Sequence, residues 1–334
     1  MSTVDIAIPG DGLRVRPVAI FLFLLVPFLA VAAGYRWFGE GIDYPNYILF
    51  WDQLSQSQPF AGVRFEPGFV WSAWFAKFYL DWDYGTFSAV LVALALFLKL
   101  RLILRRCDAP GIASICYFMA VYPLDEYTQL RAAVGMGFAY TAVDGLLDRK
   151  YLRAVILTAL GMAFHYTAFV PPLLAVGIAA TSRRSLGPTG LMMIGGSIVV
   201  GLFARYALPT LIGINPTLLN DLSLALGGKP LPFLRGENVR IIVVIIVSAI
   251  FQRPWRRDAD NVYFCLSAAH LAPYIAFASI PVFATRLAFL FQVPLLLYPF
   301  RFDQSLESRI PTVFVVGWAV WALYNSIIGG QVAF

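Results

Sequence analysis

Apolar runs of membrane-spanning length recur along the whole of this 334-residue chain, and they restrict its fold more than any other feature. A helix needs about 20 predominantly apolar residues to cross a bilayer. Runs near that length cover 17–35, 85–103, 188–207, 237–252, 259–277, 286–301 and 311–328. Shorter ones cover 109–124, 131–147, 152–166 and 168–181, giving eleven candidate crossings. Only 13% of residues are charged, against about 25% in an ordinary soluble domain, and 60% are hydrophobic. Such a chain has too little polar surface for a soluble enzyme, and too much apolar sequence for a disordered or disulfide-stapled secreted protein. The expected fold is all-α: a polytopic integral membrane protein with about 11 transmembrane helices plus one re-entrant or interfacial helix.

That extra helix is the segment 67–81, which is short, aromatic and interrupted by Lys77. Charge decides how it is read. If 67–81 does not cross, 16 of the 25 Lys and Arg residues fall on one side, including Lys99, Arg105, Arg106, Arg183, Arg184 and Arg253. If it does cross, all the later basic clusters land outside, against the positive-inside rule. The segment is therefore expected to dip into the bilayer or lie on it. Residues 1–16 become a cytoplasmic tail and 17–334 a single transmembrane domain with its C-terminus outside. The first apolar run carries no small-residue cleavage motif. The longer external connections are 36–66, 125–130, 208–236 and 278–285. The net charge of +6 comes from these inter-span clusters, a loop pattern that does not suggest nucleic acid. Three cysteines without a C-x-x-C spacing give no disulfide, metal or redox motif.

Ionisable groups at the ends of spans are costly and therefore informative. On the external side the first group is Asp43-Tyr44-Pro45-Asn46-Tyr47, followed by Arg64-Phe65-Glu66-Pro67-Gly68-Phe69. Pro67 after Glu66 predicts a helix start, with the carboxylate at the positive end of the dipole. The second is Asp125-Glu126-Tyr127 with Gln129 and Arg131 ahead of the span 131–147. The third is His165 in Phe164-His165-Tyr166-Thr167, and the fourth is Thr285-Arg286. Each has an ordinary explanation: a solvated turn, a snorkelling arginine, a packed histidine. Together they put cations on the face that disfavours them. Guanidinium grips phosphate oxygens through paired hydrogen bonds, so a lipid-linked phosphate at the membrane boundary is the ligand class these residues suit. His270 lies mid-span with no discernible partner and reads as structural.

The order Gly41-x-Asp43-Tyr44-x-x-Tyr47, Glu66-Pro67-Gly68-Phe69, Gln129-Leu130-Arg131-x-Ala133, Phe164-His165-x-Thr167-Ala168 and a late Thr285-Arg286 resembles the EpsG family of Wzy-like polysaccharide polymerases. The family often reads Arg-Gln where this chain has Arg131-Ala132, so the arginine is kept and the amide moves. The resemblance implies a multi-pass protein of the bacterial inner membrane. It would transfer a growing glycan from undecaprenyl pyrophosphate to a hydroxyl of the next lipid-linked repeat unit on the outer face, without metal or other cofactor. It also implies a chain-length regulator as a partner. Under that resemblance His165, Glu66 and Asp43 are the candidate acid–base groups. Arg131, Arg286 and Arg64 would bind pyrophosphate, and Tyr44, Tyr47, Gln129 and Trp51 would bind sugar. Trp71 and Trp74 fit an interfacial aromatic belt better. Asp81-Trp82-Asp83, the nearest approach to a metal-binding acidic pair, reads as helix capping.

Three other activities are weighed against this one. A lipid-linked oligosaccharide flippase would need paired broken helices or inverted repeats, and none is visible. An O-antigen ligase would share the donor residues and differ only in its acceptor. A membrane acyltransferase would explain His165 and leave the arginines unexplained.

Overall fold

The computed structural model describes residues 17–41, 43–60, 65–182, 236–254, 258–277, 281–302 and 305–328, with isolated residues at 6–7, 14–15, 199 and 202–203. Arg64, nearly all of the expected span 188–207, and the connection 208–236 except its last residue lie outside the described residues. Within the expected tail, Ile6–Ala7 and Arg14–Val15 pair antiparallel. All other regular structure among the described residues is helical. The chain divides into two compact units, residues 1–172 with 320–334, and residues 173–319.

The first unit begins with α1 (Pro17–Gly34), α2 (Tyr44–Gln53) and α3 (Pro67–Tyr79). It continues with α4 (Tyr84–Arg106), α5 (Pro110–Ala120), α6 (Leu130–Leu147) and α7 (Tyr151–Phe164). A 3₁₀ turn, Tyr166–Phe169, leads into α8 (Val170–Ser182), within which the division between the units falls. At 23 residues α4 is about 34 Å long, enough for a hydrocarbon core of about 30 Å. It packs against α1, α5 and α6, and α6 packs along α7. By contrast α3 has 13 residues, about 20 Å, which is shorter than the hydrocarbon core, as are the 11-residue α5 and the 14-residue α7. The outward face of α7 leaves Leu152, Val155 and Ile156 exposed, an arrangement suited to lipid rather than water.

The connection 36–66, read from sequence as loop and turn residues, contains α2. Pro45 sits in its first turn, and Tyr47, Phe50 and Trp51 bury one face at helical spacing. Lys99, counted with the cytoplasmic cations, is fully buried and paired with Asp125 at 2.9 Å and Glu126 at 2.7 Å. It belongs to no loop: it lies seven residues inside the last residue of α4, about 10 Å from that end.

The second unit holds α9 (Gly236–Phe251), α10 (Asp258–Ala269), α11 (Leu271–Ala276) and α12 (Pro281–Phe289). After three 3₁₀ turns, Val293–Leu296, Tyr298–Phe300 and Glu307–Arg309, comes α13 (Ile310–Ile328), within which the division again falls. The expected spans 259–277 and 286–301 are not single helices. Pro273 clashes with a carbonyl four residues back and interrupts the first at His270, while Pro294 and Pro299 break the second into 3₁₀ turns. The freed carbonyls are recovered by side chains. Gln252 Nε2 donates to Pro299 O at 2.9 Å and to Ser308 O at 2.8 Å, and Thr312 Oγ1 donates to Pro299 O at 2.7 Å. Broken backbone at membrane depth needs such substitutes for water. Among the described residues, two helices are long and apolar enough to cross a membrane, Tyr84–Arg106 and Glu307–Ile328.

Candidate functional site

Three of the expected residues meet in the first unit, each at a helix end. Glu66 precedes α3 in extended conformation with Pro67 in the first turn. Its side chain makes no capping bond, which leaves both carboxylate oxygens for other partners. Arg131 lies in the first turn of α6. His165 terminates α7 in extended conformation, where the chain turns into the 3₁₀ segment.

Small residues bring these ends together. A Cβ on Gly68 would stand 2.7 Å from the Ala163 carbonyl oxygen, so α3 meets α7 backbone to backbone. A Cβ on Gly135 would stand 2.7 Å from His165 Cβ, and one on Gly161 would stand 3.0 Å from Gly135 O. Real Cβ contacts are not that short, so glycine at Gly135 lets the end of α7 settle over α6, one turn past Arg131.

The resulting cluster is an ion pair with an imidazole beside it. Arg131 Nη1 donates to Glu66 Oε2. His165 Nδ1 stands 3.3 Å from Glu66 Oε1, a long and poorly aligned contact and the only one that nitrogen makes among the described residues. Arg131 Nε is also buried without one. The guanidinium lies over the Phe65 ring at 4.3 Å and the Tyr47 ring at 5.9 Å. Glu66 lies deepest, its side chain 6% exposed, while Arg131 keeps 20% and His165 26%. Burial alone raises the Glu66 carboxyl; the His165 contact and the Arg131 charge outweigh it and leave the pKa below the ordinary glutamate value. The cluster can therefore present a cation and an imidazole to a ligand, both held by one ionised carboxylate.

A family model described as the EpsG family matches residues 19–327. The chain belongs to the EpsG family. Membership, with the apolar helices, makes it a membrane protein of the exopolysaccharide-polymerase type. Neither comparison with curated proteins nor comparison with solved structures gives a match.

The other residues that carried the EpsG resemblance are placed less centrally. Asp43 is the residue before α2 and does not cap it through its side chain. Tyr47 is buried between Phe65 and Phe69, beside Arg131. Tyr44 packs on Tyr84 and lies under the guanidinium of Arg36 at 4.9 Å. Trp51 is buried in an aromatic cluster, stacked on Phe87 at 5.3 Å, so its ring is packed rather than presented to a sugar. Gln129 is half-buried just ahead of α6. Arg286 is exposed in the last turn of α12, inside a helix rather than at the start of one. It lies in the second unit.

Sequence reasoning gave no site role to Arg36 or Lys99; the structure buries Arg36 against Tyr44 and Tyr127, and Lys99 against Asp125, Glu126 and Tyr117. Tyr127 accepts from Phe38 N–H at 3.0 Å and donates to Gly39 O at 2.5 Å, tying the turn before α6 to the end of α1. The signal for Lys99 was in its spacing: it falls on the same helical face as Ala95, Leu96, Leu102 and Ile103, all buried, while Arg101 is exposed. Among the described residues no group of His, Cys, Asp and Glu has metal-binding geometry.

Proposed function

We propose that this EpsG-family protein polymerises lipid-linked oligosaccharides at the external boundary of the bacterial inner membrane. The donor is a growing glycan on undecaprenyl pyrophosphate, and the acceptor is a hydroxyl of the next lipid-linked unit. The reading includes about eleven crossings, with α3 in the interface. The observation that supports it most is the Glu66–Arg131–His165 cluster, which joins a phosphate-binding cation and a proton acceptor on converging helix ends.

In this reading the acceptor hydroxyl attacks the anomeric carbon as the bond from that carbon to the pyrophosphate oxygen breaks. His165 takes the hydroxyl proton, the usual work of imidazole near neutral pH. Arg131 meets the charge that develops on the leaving pyrophosphate. Glu66 is a positioning residue. With its pKa lowered and Arg131 bonded to it, it is a poor proton acceptor, and it fixes the two groups that do act. The division of labour follows the logic of a carboxylate that orients a histidine base.

The test is a reaction with purified full-length protein and lipid-linked repeat unit, resolved by product size. Wild type should give a ladder of lengthening products. His165→Ala should lower the rate by about 10²–10⁴-fold, the usual contribution of a general base. A wild-type protein that consumes no donor, or a His165→Ala protein with an undiminished ladder, contradicts the assignment.

A further inference from the structure

Arg36, two residues past the end of α1, is buried with only 9% of its surface exposed. Its Nη1 donates to the carbonyl of Tyr127 and the Tyr84 hydroxyl lies beside the guanidinium, while Nε and Nη2 are buried without a well-formed hydrogen bond. It forms no ion pair among the described residues, and its faces are covered by the rings of Tyr44 at 4.9 Å and Tyr127 at 5.1 Å. The residue holds a left-handed backbone conformation, φ 56°, which side-chain-bearing residues rarely adopt. Ring faces offset part of the cost of burying a guanidinium but do not accept its in-plane N–H groups as an anion does.

Arg36 is linked to the candidate site by two separate elements. Tyr44 beneath Arg36 and Tyr47 beside Arg131 are three apart on α2, neighbours on one helix face. Tyr127, which receives the Arg36 bond, stands four residues before Arg131 in the turn leading into α6. Each arginine thus has one nitrogen bonded to a carbonyl or carboxylate, a tyrosine hydroxyl and aromatic rings against it, and at least one N–H group without a well-formed bond.

We propose that Arg36 is a second anion-binding arginine of this site, taking one phosphate group of a lipid diphosphate while Arg131 meets the other. Tyr44, half-exposed, is the ring that yields as the diphosphate enters. The proposal rests on the polymerase reading above and adds a specificity: the pair distinguishes a diphosphate from a monophosphate carrier, and so separates intact donor from the carrier that results once a phosphate has been removed.

The test uses full-length protein in lipid nanodiscs, with undecaprenyl diphosphate and undecaprenyl monophosphate as probes. Wild type is expected to prefer the diphosphate by about tenfold or more. Arg36→Lys, which keeps the charge and loses the planar fork, should reduce that preference to about twofold and leave monophosphate affinity nearly unchanged. An undiminished preference in Arg36→Lys overturns the proposal and leaves the polymerase reading intact. Wild type that binds neither lipid overturns both. A second measurement needs no variant: phenylglyoxal modification of wild type, mapped by mass spectrometry. Arg36 should be modified, and protected by the diphosphate at concentrations where the monophosphate does not protect. Equal protection by both lipids, or no reaction at Arg36 under any condition, overturns the proposal.

Discussion

Helix α6 carries an arginine–carboxylate cluster at each end, and the two differ in whether their bonds are filled. At its C-terminal end Arg105 bonds Asp144 and Asp148, and Arg106 bonds the same two aspartates at 2.5 and 3.0 Å. Two cations face two anions, and Lys150 adds a contact to Asp148 at 3.7 Å. At its N-terminal end one carboxylate serves Arg131 and, through a long 3.3 Å contact, His165, with Arg131 Nε left unpaired. A filled network fastens α4 to α6. The other end keeps unused polar capacity, which in the polymerase proposed above the pyrophosphate fills, since a buried polar group without a partner is costly.

The largest effect should separate the two ends by the same substitution. Arg131→Lys keeps the charge and removes the planar fork, and polymer formation should fall by about 10²–10³-fold, the scale of losing one donor to developing charge. Arg105→Lys at the filled end, where the arginine side chain is 41% exposed, should leave polymer formation within about threefold. Size-resolved product assays on both variants, at matched membrane levels, check the pair. Equal losses would erase the distinction between the ends.

Much of the unfilled end was readable from sequence because its parts are local signals. Glu66-Pro67 announces a helix start, Arg131 opens an apolar run, and His165 closes one. What sequence did not contain was the pairing. Nothing in the spacing of Glu66, Arg131 and His165 says that one carboxylate serves both others, because that depends on where three helices meet. The filled end was half visible: Arg105 and Arg106 were read as loop cations, and their bonds to Asp144 and Asp148 arise from α4 lying against α6. Proline effects were underweighted. Pro273, Pro294 and Pro299 sit within runs apolar enough to pass as spans, so hydropathy saw continuous helices where the backbone breaks. The α2 helix was hidden by the opposite error, since a short amphipathic stretch with polar neighbours resembles a loop.

A smaller effect should follow from loosening the geometry without touching an ionisable group. Gly135→Ala places a methyl 2.7 Å from His165 Cβ, so the end of α7 must shift away from α6. Overpacking of this kind costs about 1–3 kcal/mol of stability. The displaced imidazole should lower polymer formation by about tenfold, since misplacement near 1 Å is expensive in catalysis. Gly137→Ala, on the same helix but against Leu98 at 3.1–3.2 Å, tests whether packing strain alone has that consequence. It should cost some stability and little activity, and a matching loss of activity in both variants would detach Gly135 from the site.

The smallest effect concerns pH, and its sign follows from the direction of the Glu66 shift. A carboxyl whose folded pKa lies below its unfolded value contributes stability that is fully present above the unfolded value, near 4.3 for glutamate, and is lost as pH falls through the folded one. Glu66 should therefore leave unfolding temperature unaffected between about pH 6 and 8 and contribute to a decline only in the acid range below about pH 5. Glu66→Gln should flatten part of that acid decline when unfolding is followed in detergent from pH 4 to 8. An acid decline that is unchanged in Glu66→Gln would mean that the carboxylate contributes nothing as an anion. It would then not pair with Arg131 by charge, and that end of α6 would lose the one group that joins its parts.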